Sequence, residues 1–127
     1  MAHVPVLRQR GYLIATIQST MSDSEAEALQ NELMEQVSRY RARGIVVDTT
    51  ALDVLDSFAA RTLRTIAYMT RLRGAVTVLV GIQPEVAFAM VQLGITLEDV
   101  DTALDLEEGL AFLQRQLNNE ETDVGGG

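Results

Sequence analysis

Hydrophobic and polar positions along this chain follow two different periods, and each change of period marks a new element. Val4 to Leu7 and Tyr12 to Ile17 are short apolar runs separated by Arg8-Gln9-Arg10-Gly11, which predicts two strands joined by a tight turn. The period then lengthens. Ser22 and Glu25 have capping-box spacing, and Leu29, Leu33, Val37 and Tyr40 recur at helical intervals until Gly44 offers a stop. Gly44-Ile45-Val46-Val47-Asp48 is a β-branched run that halts at a carboxylate, the signature of a buried strand whose end meets solvent. A helix over 57–73 and a valine-rich strand over 75–80 follow. Pro84 and Glu85 suit the first turn of a helix that Gly94 ends. Asp105 and Glu108 form a further capping pattern ahead of Leu106, Leu110, Leu113 and Leu117.

Helices alternating with the later strands predict crossover connections onto one sheet, to which the opening hairpin adds an antiparallel pair. The expected fold is therefore α/β, a mixed sheet with helices packed on it. Residues 118–127 lack apolar periodicity and are expected to form a flexible polar tail after a single domain spanning 1–117. At 127 residues and 47% hydrophobic content, one core suffices without disulfides or metal.

Composition then narrows the chemistry. Cysteine is absent, which removes thiol nucleophiles, thiolate zinc sites and disulfide staples together. No apolar run approaches the roughly 20 residues of a membrane span, and the N-terminus lacks the apolar core of a secretory signal, so a cytoplasmic location without membrane contact is expected. The formal charge is −8, and every basic residue is an arginine. Such a balance gives no general electrostatic reason to bind nucleic acid. The arginines cluster at Arg39, Arg41 and Arg43, and again at Arg61, Arg64, Arg71 and Arg73, which suits solvated helix ends or a protein partner.

Enzyme classes fare poorly. The sole histidine is His3, near the chain terminus, and Ser57 lies in Asp-Ser-Phe rather than a Gly-x-Ser-x-Gly elbow, so serine hydrolysis lacks its base. A P-loop is missing, and so is the lysine it would need. That same lack of lysine, with no carboxylate pair after the first strand, weakens a phosphoaspartate receiver built on Asp48. Asp48, Asp53 and Asp56 could suit a hard cation or acid–base work, but the spacing is not that of a calcium loop. No cofactor is expected. The acidic run Glu98, Asp99, Asp101, Asp105, Glu107 and Glu108 reads as a solvated connection leading to a helix start.

The helix from Ser57 is the informative one. Ala59, Leu63, Ile66 and Thr70 form an inward stripe, with Ala60 and Ala67 allowing close approach to the sheet. Arg61, Arg64, Tyr68 and Arg71 fall on the other side, and Ser57 shares their face. Either Asp56 or Ser57 would cap the helix, and a stripe of this kind faces either water or a partner.

Five ordered segments carry a family resemblance: residues 44–50, residues 53–61 from Asp53 through Asp56-Ser57-Phe58 to Arg61, Gly81-Ile82-Gln83-Pro84-Glu85-Val86, Leu93-Gly94-Ile95, and 102–110. With them the chain resembles the STAS domain family, and within it the RsbS-like single-domain stressosome scaffolds. The resemblance implies a non-enzymatic regulator in stress signalling, phosphorylated at Ser57 by a switch serine/threonine kinase. It further implies assembly with STAS-containing co-scaffold subunits into a large complex that holds the kinase and releases it after phosphorylation, with a serine phosphatase reversing the mark. The partner-binding residues expected on this basis are Asp53, Asp56, Ser57, Arg61, Arg64 and Tyr68. Some family members carry a second phosphorylated residue, a threonine, in the next helix, but Pro84 to Leu93 holds no serine, threonine or tyrosine. A small anti-sigma-factor antagonist and a ligand-sensing STAS module are the alternatives.

Overall fold

A computed structural model describes residues 4–94 and 100–126, with side chains described as far as Asn118. The two opening apolar runs form β1 (Val6–Gln9) and β2 (Tyr12–Thr16), paired antiparallel with Gln9 opposite Tyr12. Only Arg10 and Gly11 remain for the turn, and both have positive φ, 52° and 84°. A two-residue connection of this hand matches the twist of the strands it joins.

Next come α1 (Asp23–Tyr40), β3 (Gly44–Asp48), α2 (Ser57–Leu72), β4 (Val76–Val80), α3 (Pro84–Gln92), β5 (Asp101–Ala103) and α4 (Leu106–Gly126). The sheet order is β1-β2-β3-β4-β5, and β2 through β5 run parallel. The mixed sheet with an antiparallel opening hairpin is therefore as expected.

Each face of the sheet has its own core. Leu13, Ala15, Ile45, Val47 and Leu79 point toward α1, α2 and α3, meeting Leu29, Leu33, Leu63, Ile66 and Val86. Ile14, Val46, Val78 and Val80 point the other way, onto Leu113, Leu106 and Leu110 of α4. Alternation along each strand therefore feeds both layers, which is why β3 reads as uninterrupted apolar sequence.

Three details depart from the expectation. Gly44 does not stop α1; the helix ends at Arg41, whose φ of 52° makes the left-handed cap. Gly44 is instead a buried residue of β3, where an added Cβ would lie 2.9 Å from a Leu113 methyl and 3.1 Å from the Tyr12 ring. The acidic connection contains a strand, β5, because Asp101–Ala103 extends the sheet beside Val78–Val80. In that same acidic run, Glu98 and Asp99 lie outside the described residues, as do His3 and Ile95. Finally, the backbone of α4 stays helical through Gly126, past the last leucine of its repeat and through most of the segment expected to be a flexible polar tail.

Candidate functional site

The C-terminal ends of the parallel strands all open on one side, and β3 feeds α2 there. The connection between them is pinned at its start. Asp48 accepts from the Thr50 amide at 2.9 Å and the Thr50 hydroxyl at 2.6 Å, while the Thr49 hydroxyl donates to the Val80 carbonyl at 2.9 Å. The neighbouring β4–α3 loop locks onto the same point: Gln83 Nε2 donates to the Thr50 carbonyl at 2.6 Å. Gly81 passes so close, at φ 73°, that a Cβ would overlap the Thr50 hydroxyl. Asp48 is thereby a turn-former rather than a free carboxylate.

Leu52 and Leu55 are buried on either side of Asp53 and Val54, so burial of the two leucines lifts the residues between them into solvent. Asp56 then caps α2: its carboxylate accepts from the Ala59 amide at 2.8 Å, and its carbonyl from the Ala60 amide at 3.0 Å. The choice left open by the sequence is settled in favour of Asp56, and the Ser57 hydroxyl is not needed for the cap. Ser57 is the first helical residue and is half-buried.

The rest of the expected set lies along one ridge. Arg61 and Tyr68 are exposed and Arg64 half-buried, whereas Ala59, Ala60, Leu63, Ile66, Ala67 and Thr70 are buried beneath them. At 1.5 Å per residue the ridge from Ser57 to Tyr68 is about 16 Å long. The structure thus gathers Asp53, Asp56 and Ser57 at the helix entrance and leaves Arg64 and Tyr68 two and three turns away. Val54 and Phe58 were not among the expected contacts, yet both flank Ser57 with exposed apolar surface, 56% and 37% accessible. In sequence Val54 is not distinguishable from its apolar loop neighbours Leu52 and Leu55; only their burial in the fold leaves Val54 outside.

With Asp48 committed to Thr50 and Asp56 to Ala59, the three aspartates do not converge on a common point. Among the described residues no three His, Cys, Asp or Glu side chains gather to hold a metal ion, and no helix is long and apolar enough to cross a membrane. What the entrance offers is a hydroxyl at a helix N-terminus, between exposed carboxylates and an arginine one turn on. Such a place can accept a covalent anion, since the first-turn amides favour negative charge.

Comparison with known proteins gives the same frame. The family model described as "STAS domain" matches residues 3–109. The RsbT co-antagonist protein RsbRA of Bacillus subtilis is 32% identical over 91 residues, which cover 72% of this chain and 33% of RsbRA. The chain thus spans about a third of the length of the curated relatives it matches. A solved structure of a serine-to-glutamate variant of Moorella thermoacetica RsbS superposes with a TM-score of 0.82 at 32% identity, covering 92% of this chain and 99% of that one. A chain from a structure of the stressosome, described as a signal integration and transduction hub, gives a TM-score of 0.72 at 30% identity and covers 89% of this chain and 98% of that one.

Proposed function

This chain belongs to the STAS domain family, and on that footing we propose that it is a non-enzymatic scaffold subunit of a stressosome-type assembly. In this reading it sequesters a switch serine/threonine kinase at the α2 entrance and releases it when Ser57 is phosphorylated. STAS-containing co-scaffold subunits share the assembly, and a serine phosphatase resets it. The likeness to RsbS over nearly its whole length and to the RsbRA co-antagonist supports the scaffold role. The observation that carries the switch is the position of Ser57: first in α2, half-accessible, and relieved of capping by Asp56.

The magnitudes favour a local switch. A phosphate adds about −1.5 to −2 charges at neutral pH. The helix terminus favours it by roughly 0.3–1 kcal/mol. Asp53 and Asp56 oppose it, and Arg61 one turn along offsets part of that repulsion through a charge-assisted hydrogen bond. The isolated domain therefore keeps its fold. At a docked surface the same dianion must shed its water against Val54, Phe58 and whatever covers them, and a loss of about 1.4 kcal/mol weakens binding tenfold.

The test is to incubate the chain with its kinase and ATP, map the modified residue, and compare kinase capture by Ser57→Ala and Ser57→Asp. Modification at Ser57 and weaker capture by Ser57→Asp are expected. Equal capture by two folded variants, or modification elsewhere only, refutes the reading.

A further inference from the structure

The two faces of the sheet are covered unequally. Three helices, α1, α2 and α3, pack on one face, while α4 alone crosses the other and lies over β3, β4 and β5. The far side of the β1–β2 hairpin is left largely open. Leu7, which shares the face of its cross-strand neighbour Ile14, is 65% exposed there. Between the hairpin and the flank of α4 runs a cleft of about 380 Å³, lined by Gln9, Arg10, Tyr12, Leu110 and Gln114. It lies where the strands begin, since Tyr12 opens β2 and pairs in register with Gly44, the first residue of β3. Asp53, Asp56 and Ser57 follow the opposite end of β3, so the cleft shares no residue with the α2 entrance.

Local features shape this cleft. A Cβ on Gly44 would lie 3.1 Å from the Tyr12 ring, so the glycine lets the ring rest against bare backbone. Tyr12 and Leu110 are half-buried and border the apolar layer beneath α4, which gives the cleft a floor of one ring and one aliphatic side chain. Gln9, Arg10 and Gln114 stand exposed around it. Arg10 holds φ 52° in a two-residue turn where asparagine or glycine fits with less strain. Among the described residues, no hydrogen bond or ion pair occupies the side chains of Gln9, Arg10, Tyr12 or Gln114. The groove on the α1 side of β1 is the contrasting case: Arg39 pairs with Glu35 at 3.0 Å, Gln36 donates to Glu32 at 2.6 Å, and Arg8 stacks on Tyr40. Its charges are already matched.

We propose that the hairpin cleft binds a small aromatic monocarboxylate. The flat ring packs against Tyr12 and Leu110, the Arg10 fork takes the carboxylate in a bidentate fashion, and the Gln9 and Gln114 amides serve polar groups on the ring edge. One cation, with no carboxylate among the lining residues, selects a single negative charge. A nucleoside triphosphate brings several charges that Arg10 alone cannot match in a chain of net charge −8. The volume lies near the lower end of the roughly 300–1,000 Å³ of ligand clefts, which suits one or two rings. Neither Ser57 nor a kinase takes part, so the failure of this site and that of the phosphorylation switch are separate results.

Titration of the isotope-labelled full chain with indoleacetate, followed through its amide chemical shifts, tests the proposal. Saturable shifts clustered at Gln9, Arg10, Tyr12, Gly44, Leu110 and Gln114, with a Kd of about 1 mM or tighter, are expected for a ligand of this size. Arg10→Gly should weaken binding about fivefold, the effect of one exposed ion pair, and keep the fold, since glycine fits the positive φ. Indoleacetamide, which keeps the ring and loses the charge, should bind the parent more weakly by a similar factor. Absence of saturable shifts up to about 10 mM ligand overturns the proposal. So does an Arg10→Gly chain that binds as tightly as the parent, an amide that binds as well as the acid, or a set of shifts confined to residues outside the cleft. Tighter binding of ATP than of indoleacetate at the same amides overturns it in favour of a nucleotide site.

Discussion

Asp56→Ala and Ser57→Ala, made side by side, separate the structural from the functional role of the α2 entrance. The Asp56 carboxylate satisfies the Ala59 amide at 2.8 Å, one of the orphan donors of the first turn. Its loss should cost about 1 kcal/mol, within a span of roughly 0.5–2. For a chain of 127 residues that corresponds to a fall in Tm of about 4 °C, taking an unfolding entropy near 2.1 cal/mol/K per residue. Asp56→Asn keeps the acceptor and should fall by only a few tenths of a kcal/mol. Ser57 stands outside the cap, so Ser57→Ala should stay within about 0.5 kcal/mol of the parent. Urea unfolding monitored by circular dichroism measures all three. A Ser57→Ala loss of about 1 kcal/mol or more, matching Asp56→Ala, would mean that the hydroxyl holds the helix. The argument that it is available for modification would then fail.

Other expectations follow from particular contacts. Gly109→Ala places a methyl 2.6 Å from a Val80 methyl; overpacking of about 1–3 kcal/mol against a helix-propensity gain of up to about 1 leaves a net loss of up to about 3 kcal/mol. Adding Val80→Ala should make the double variant more stable than the sum of the single losses, and strict additivity in denaturant unfolding would contradict the described seat of α4. Tyr68→Ala should weaken kinase capture at least about tenfold if the contact runs the length of the ridge, whereas unchanged affinity in a titration confines it to the entrance. Glu25 accepts from the Ser22 amide at 3.0 Å, and that bond, followed by the contact with the Ser22 hydroxyl, holds its pKa below the ordinary carboxylate value. A depressed folded-state pKa contributes stability above the unfolded-state value and loses it as pH falls through the folded one. Glu25→Ala should therefore be less stable than the parent near neutrality, with the gap closing in acid below the usual carboxylate range. A gap that persists undiminished there contradicts the capping box as its source.

The candidate site draws its character from a division of labour between adjacent residues. Leu52 and Leu55 anchor the loop, Asp48 and Gln83 clamp Thr50, and Asp56 caps the helix. Ser57 takes no part in that cap, and Arg61 and Tyr68 on the outer ridge are exposed. A modification at Ser57 would then alter a surface and not the fold beneath it.

The sequence by itself determined the elements whose signals are local. Capping boxes act within four residues, so Ser22 with Glu25 marked the start of α1, and the helix appears there with both reciprocal bonds made. The valine and isoleucine runs marked β3 and β4, and the inward and outward stripes of α2 were legible because burial follows the helical period. Only the tertiary structure decided matters that rest on distant partners. β5 is three residues long, too short for a period to show, and exists because β4 offers an unpaired edge. Gly44 looked like a helix stop, but its lack of a side chain answers to Leu113 on the far side of the sheet. Asp56 won the cap through the path that two buried leucines impose on the loop. The cleft beside Tyr12 is likewise a tertiary product, because only the path of α4 across the far face sets Leu110 and Gln114 next to Gln9 and Arg10, which lie far from them along the chain.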